Sequence, residues 1–328
     1  KKGANLETIN LYMPDTLQTS YDSDYSTVSL TSAFGLTGYL ANAIADKYKT
    51  FADFKFNKED EHIHQKYSIF RRLDGHNWDR NKLFIGSILF AWVKLGGVIF
   101  SVLLCYFSLK ILLIGKANID HRDEKLKKKI IFITSFCAKI FMACLGIMIT
   151  EKNIDYDYSK YLGKGYKKDD KPAAYISNHT SWIDILLFMD KIGAGFIASI
   201  HVKSFPLIGY IASALGCIFV DRNDKSNRGS SLSLVNEKLS SIYSDKDYST
   251  FTIFPEGTTS NTTSILPFKK GAFTSKLPIK PYVIKFDVIN KISLAMDVID
   301  MLLHVYVVLC IPIHNIELYN LPVFCPND

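Results

Sequence analysis

Apolar and polar positions divide this chain into three regimes. Residues 1–80 are polar, rich in Tyr, Ser, Thr and Asp and without sustained periodicity, which predicts a loosely ordered N-terminal region. Leu83 to Gly115 is then an apolar block interrupted only by Lys94 and Lys110. A straight helix of that length reaches about 50 Å, against roughly 30 Å of bilayer hydrocarbon, and Gly96-Gly97 offers a place to break it. Arg71, Arg72, Arg80 and Lys82 precede the block; Lys116, Arg122, Lys125, Lys127, Lys128 and Lys129 follow it. Basic residues at both ends favour the same side of a membrane for both, hence a re-entrant hairpin broken at the glycines rather than a single tilted span. Ile130 to Thr150 is a second apolar stretch with Lys139 near its centre. Such a lysine costs about 3 kcal/mol at the bilayer midplane and little at the interface, so an interfacial helix is predicted. Residues 81–150 are read as membrane-anchoring helices.

The third regime, residues 151–328, alternates between strand and helix patterns. Strands are predicted near 173–177, 195–200, 217–221, 251–255 and 281–286, and helices near 182–191, 206–214 and 229–243. This is an α/β class, a mainly parallel sheet flanked by helices and preceded by an N-terminal membrane-associated helical region. Met301 to Ile311 is a further apolar patch, open to two readings: a core element or another membrane contact.

One predicted strand-to-helix junction sets a histidine and an aspartate five positions apart: Asn178-His179-Thr180-Ser181-Trp182-Ile183-Asp184. Inside a regular helix two such residues would lie about 140° apart and would not meet. Ser181-x-x-Asp184 fits a capping box, which places His179 in the turn before the helix and lets its ring fold back onto the first-turn carboxylate. The carboxylate would fix the tautomer and leave the other ring nitrogen to take a proton. Asp184 also has a purely structural alternative as a helix cap. No Gly-x-Ser-x-Gly elbow is present, which argues against a serine hydrolase passing through an acyl-enzyme.

Composition narrows the partners. The chain is 48% apolar, with 39 basic against 32 acidic residues and a formal net charge of +7. The basic residues flank apolar segments and no nucleic-acid module is visible, so anionic lipid is a better partner than nucleic acid. The six cysteines have no Cys-x-x-Cys spacing and mostly lie in apolar runs, which reads as buried thiols in a reducing compartment. His62 and His64 have no partner cluster, so no metal site is expected. The chain opens on Lys1 and shows no cleavable signal pattern.

Three later segments join the junction: Ile218-Phe219-Val220-Asp221-Arg222, Phe254-Pro255-Glu256-Gly257-Thr258-Thr259-Ser260 and Leu277-Pro278-Ile279-Lys280-Pro281. In order, the four resemble the sequence blocks of the glycerolipid acyltransferase superfamily, the relatives of 1-acylglycerol-3-phosphate acyltransferase. Glu256 to Asn261, then Pro267-Phe268-Lys269-Lys270-Gly271-Ala272-Phe273, with His314-Asn315 and Leu321-Pro322-Val323, looks like the lysophosphatidylcholine acyltransferase branch. Thr259 stands where many lysophosphatidic acid enzymes carry arginine. The calcium-binding helical pairs that follow the catalytic domain in some animal relatives do not occur before Asp328, so calcium control is not carried over from the resemblance.

The resemblance implies an acyl-CoA-dependent lysophospholipid O-acyltransferase of an internal membrane, the endoplasmic reticulum, with its catalytic domain facing the cytosol. Acyl-CoA is then a co-substrate, no cofactor is needed, and His179 is the general base oriented by Asp184. Alternatives are a lysophosphatidic acid or glycerol-3-phosphate acyltransferase, a CoA-independent transacylase, or an inactive lipid-binding scaffold. The family assigns the positions of Arg222 and Glu256-Gly257 to the glycerophosphate side of the substrate. Arg222 can grip a phosphate bidentately, and Glu256, Gly257 and Thr258 offer backbone N–H groups as an oxyanion or phosphate cradle. Lys203 matches a frequent family lysine and is a candidate for phosphate. Lys269 and Gly271 are at least as well explained by packing.

Overall fold

The computed structural model describes residues 79–116, 119, 123–163, 171–221, 228–261, 263–286, 292–296 and 301–326. The N-terminal region, His62, His64 and Arg222 lie outside these residues. The first helical run is unbroken over Asn81–Leu112: α1 (Arg80–Gly86), one π-helical turn (Ser87–Ala91) and α2 (Trp92–Leu112). Asp79 caps its start, its carboxylate accepting from the N–H groups of Asn81 and Lys82. The run is long and apolar enough to cross a membrane.

The break expected at Gly96-Gly97 is therefore absent, and with it the hairpin it would have made. Gly97 serves packing: a Cβ there would stand 2.5 Å from the Cys144 Sγ, so glycine lets α2 approach α3 (Glu124–Leu145). Nor is 130–150 one helix. The helix α3 stops at Gly146 and the chain enters strand β1 (Ile147–Asn153), so the sheet domain begins at Ile147 rather than at 151.

After α4 (Ser159–Leu162), strands and helices alternate: β2 (Ala174–Ser177), α5 (Ile183–Lys191), β3 (Gly195–Ser199), α6 (Ile200–Ser204), α7 (Pro206–Leu215), β4 (Ile218–Val220), α8 (Arg228–Tyr243), β5 (Phe251–Ile253) and β6 (Ile279–Phe286). Helix α9 (Met301–Cys310) and strand β7 (His314–Asn320) follow. The strand order is β1-β7-β6-β2-β5-β3-β4. Every neighbouring pair is parallel except β6 with β7. The mainly parallel α/β sheet predicted from the alternation is present, extended at one edge by β7 and β1. Of the two readings left open for 301–311, a core element holds at the buried His304, Val307, Val308, Leu309 and Cys310.

The sheet separates two apolar cores. On one face Leu187 and Phe188 of α5 and Ala214 and Leu215 of α7 meet α2, α3 and α9. On the other, Val235, Leu239 and Ile242 of α8 cover Ala174, Ile176, Phe251 and Ile253. Burial of the Val, Leu, Ile and Phe side chains among these contributes about 1.5–3 kcal/mol each before the entropy of ordering them is subtracted.

Two lysines read from sequence as an interruption and a basic flank prove to be internal fasteners. The Nζ of Lys94 donates to the carbonyls of Leu145, Ile311 and Pro312 at 2.6, 2.5 and 3.1 Å. Lys127, 1% exposed, donates to the Leu215 carbonyl at 2.7 Å, at the last residue of α7. A helix C-terminus presents unpaired carbonyls and partial negative charge, which suits a buried ammonium.

Candidate active site

Because β2 through β6 are mutually parallel, their carboxyl ends share one edge of the sheet, the usual place for a site in an open α/β fold. Chain segments leaving β2, β3, β4 and β5 there include His179, Lys203, Asp221 and Glu256. Since β2 and β5 are neighbours, the turn after β2 and the Pro255-Glu256-Gly257 turn lie side by side.

The turn after β2 is secured at nearly every backbone group. Asn178 extends the sheet with its side chain, donating from Nδ2 to the Ile284 carbonyl at 2.9 Å and accepting from the Ile284 N–H at 2.8 Å. The carbonyl of His179 accepts from the Ser260 N–H, and that of Thr180 from the Met296 N–H. The His179 N–H donates to Glu256 Oε1 at 2.8 Å. Asp184, fully buried, collects the Thr180 N–H at 2.6 Å, the Ser181 N–H at 2.9 Å and the Thr180 hydroxyl at 3.0 Å. A buried carboxylate needs such partners, and three donors satisfy and hold it in place. The capping box predicted from Ser181-x-x-Asp184 is present in its return half, from Asp184 to the Ser181 N–H. The forward half is long, 3.4 Å from the Ile183 N–H to Ser181 Oγ, and reaches one residue short of Asp184.

His179 Nδ1 stands 2.9 Å from Asp184 Oδ2. An ionised carboxylate can only accept, so Nδ1 carries the proton and Nε2 holds the lone pair. The ring lies flat on Phe254, with centroids 4.2 Å apart and planes 14° from parallel, and Phe254 in turn is parallel to Phe196. The imidazole is thus fixed by one hydrogen bond and one aromatic face, while 18% of its side chain remains exposed. An imidazole locked in this way would need no reorganisation on taking a proton.

Glu256, 3% exposed, points inward. Its second oxygen accepts from the Leu266 N–H at 2.9 Å. Burial raises its carboxyl above the ordinary glutamate range, and the backbone N–H groups of Leu266 and His179 offset part of that rise. Gly257 has φ +71°, and the Lys269 side chain lies on its open face, with Nζ 2.2 Å from where a Cβ would stand. Any other side chain there meets both backbone strain and Lys269. The Gly257 N–H donates to the Phe254 carbonyl at 3.0 Å. That closes a turn instead of offering a donor to a ligand, so the Gly257 N–H is withdrawn from the cradle expected of Glu256-Gly257-Thr258; Thr258 is exposed beside it.

His179, Asp184 and Glu256 are therefore brought into one network. Lys203 is not part of it. It sits on α6 after β3, two strands along from β2, about 10 Å by strand spacing; it is exposed, with its Nζ 5.9 Å from the centre of the Phe219 ring. Strand β4 ends on the same edge a strand further out. Three contributors went unnoticed in the sequence: Asn178, Thr180 and Phe254. The first two lie within the seven-residue junction, and Phe254 immediately precedes Pro255-Glu256, so proximity to those motifs was the available signal.

Residues 158–285 match the family model named Acyltransferase. A lysophospholipid acyltransferase of Arabidopsis thaliana, LPEAT1, is 36% identical over 163 residues, 49% of this chain and 41% of that protein. The lysophosphatidylcholine acyltransferase of Drosophila melanogaster is 23% identical, over 62% of this chain and 37% of its own length. Glycerol-3-phosphate acyltransferase 3 of Xenopus laevis is 35% identical over 126 residues, 37% of this chain and 27% of its own. The chain thus spans less than half the length of these curated relatives.

Proposed function

Since residues 158–285 match the acyltransferase family model, we propose that the chain is an acyl-CoA-dependent lysophospholipid O-acyltransferase, with lysophosphatidylcholine or a related lysoglycerophospholipid as acceptor. One observation carries this reading: a histidine held on Asp184 and Phe254 with its other ring nitrogen unengaged among the described residues, on the ligand-binding edge of the sheet.

The acceptor hydroxyl gives its proton to His179 Nε2 as its oxygen attacks the thioester carbonyl. Asp184 stabilises the imidazolium that forms. When the tetrahedral intermediate collapses, the carbon–sulfur bond breaks, and the imidazolium returns the proton to the departing thiolate of coenzyme A. General-base assistance of this kind is worth about 10²–10⁴-fold. In this mechanism Ser181 is not a nucleophile: it is fully buried and serves the helix start.

Membrane attachment fits the substrates, because both carry acyl chains that partition into lipid. The first helical run exposes Ile85, Leu89, Trp92, Val93, Phe100, Phe107 and Ile111 along its length. Its opposite face is buried throughout, at Leu83, Ala91, Lys94, Ser101, Cys105 and Leu109, against α3, α7 and α9. A helix seated on its own domain from end to end is better placed along one leaflet than across two. The basic residues at both ends agree, and an internal membrane such as the endoplasmic reticulum, with the site toward the cytosol, completes the proposal.

The test is purified protein in lipid nanodiscs, offered mixed acyl-CoAs and a lysophospholipid panel, with products identified by mass spectrometry. New diacyl phospholipid that requires acyl-CoA is expected. Product formed without acyl-CoA would indicate a transacylase, acylation of glycerol 3-phosphate alone a different acceptor class, and no product on any acceptor a silent scaffold.

A further inference from the structure

Glu256 is the second carboxylate of the site, and the reaction above gives it no part. Both of its oxygens face the protein, one receiving the His179 N–H and the other the Leu266 N–H. The same loop returns a third bond, from the Ser260 N–H to the His179 carbonyl at 3.2 Å. Residues 256–266 therefore hold both main-chain polar groups of the base residue, while one side chain ties that residue to the far end of the loop. At 3% exposure Glu256 has no surface left for a phosphate, and a carboxylate would in any case repel one.

We propose that Glu256 is a positioning residue for His179 rather than a substrate contact, joining the base and the 257–266 loop into one frame. The proposal rests on the acyltransferase reading for its kinetic consequences, but not for its geometry. In Glu256→Gln one oxygen becomes an amide nitrogen facing an N–H donor, so one of the two bonds is lost at constant shape.

With the acceptor that supports turnover, kcat of Glu256→Gln is expected to fall about 100-fold while the acceptor KM moves less than about threefold, the signature of lost alignment in the transition state. The reverse pattern, a raised KM at constant kcat, would make Glu256 a substrate contact and overturn the proposal. Leu266→Pro removes the other donor without touching the carboxylate, and should lower kcat by about tenfold in the same pattern. A readout that needs no turnover accompanies both variants: the rate at which diethyl pyrocarbonate modifies His179 in the folded protein, followed by mass spectrometry. That rate should rise at least about fivefold as the turn loosens; an unchanged rate in both variants would overturn the proposal even if no acceptor were ever found, whereas failure of wild-type turnover alone would count against the acyltransferase reading.

Discussion

The turn after β2 and the helical layer of α2 and α3 both keep charged groups in apolar surroundings, and they do so with opposite halves of the peptide unit. In the turn, Asp184 and Glu256 are surrounded by N–H donors. In the helical layer, Lys94 donates to three carbonyls and Lys127 to the carbonyl at the end of α7. The regions differ in what they leave outward. The helices expose oil, with Val93 78% and Ile111 70% accessible, whereas the turn exposes part of a single imidazole. Buried charge is thus no sign of chemistry by itself. What marks the site is a charge satisfied on every side but one, with the remaining valence passed to His179.

Four measurements would break or sharpen this contrast. The largest effect is expected for Asp184→Asn, which removes the acceptor that fixes the His179 tautomer and puts an amide among N–H donors. Turnover should drop about 10²–10⁴-fold in steady-state kinetics, and chemical denaturation should show a loss of about 3 kcal/mol. Near-wild-type activity would mean that Asp184 only caps α5. Lys94→Met leaves three carbonyls without their donor and should cost about 2–4 kcal/mol in the same denaturation experiment, with unchanged kcat for the protein that remains folded. A stable Lys94→Met variant would show that the helical layer does not need its buried charge.

Smaller effects are expected at the surface and in the pH profile. Val93→Arg should leave stability in detergent within about 0.5 kcal/mol of wild type while weakening vesicle association by about 2 kcal/mol, roughly 30-fold in a flotation assay. Equal flotation would place that face away from lipid. Burial, the main cause, holds the Lys127 ammonium down to about 8, from an ordinary lysine value near 10.5. Between these values the unfolded chain binds the proton that the folded one has released, so stability should rise with pH across that window. Lys127→Met should flatten that rise in thermal melts taken from pH 7.5 to 10.5.

Much of the sheet domain was legible because its elements are long enough to show a period. The strand predicted at 173–177 is Ala174–Ser177, and the helices predicted at 182–191 and 206–214 are Ile183–Lys191 and Pro206–Leu215. The missed strands have identifiable reasons. β1 is an edge strand whose second half is polar and exposed, so its apolar start merged with the preceding helix. β7 does alternate, with His314, Ile316 and Leu318 buried and Asn315 exposed, a signal that was present but short.

The site was legible in its residues and less so in their directions. His179 and Asp184 meet because five positions across a turn can only close one way. The inward aim of Glu256 depends on Leu266 and on the neighbouring strand, and neither local spacing nor family likeness carries that information. Gly97 misled for a related cause, since a glycine in a helix can mark a break or a close neighbour, and only Cys144 decides which.

The most direct test is His179→Ala, assayed for acyl transfer from acyl-CoA to lysophospholipid in nanodiscs, with vesicle association measured on the same preparation. Loss of about 10³-fold or more in kcat with association intact is expected for a general base. Turnover retained within about tenfold would contradict that role and return the geometry of the turn to a purely structural purpose.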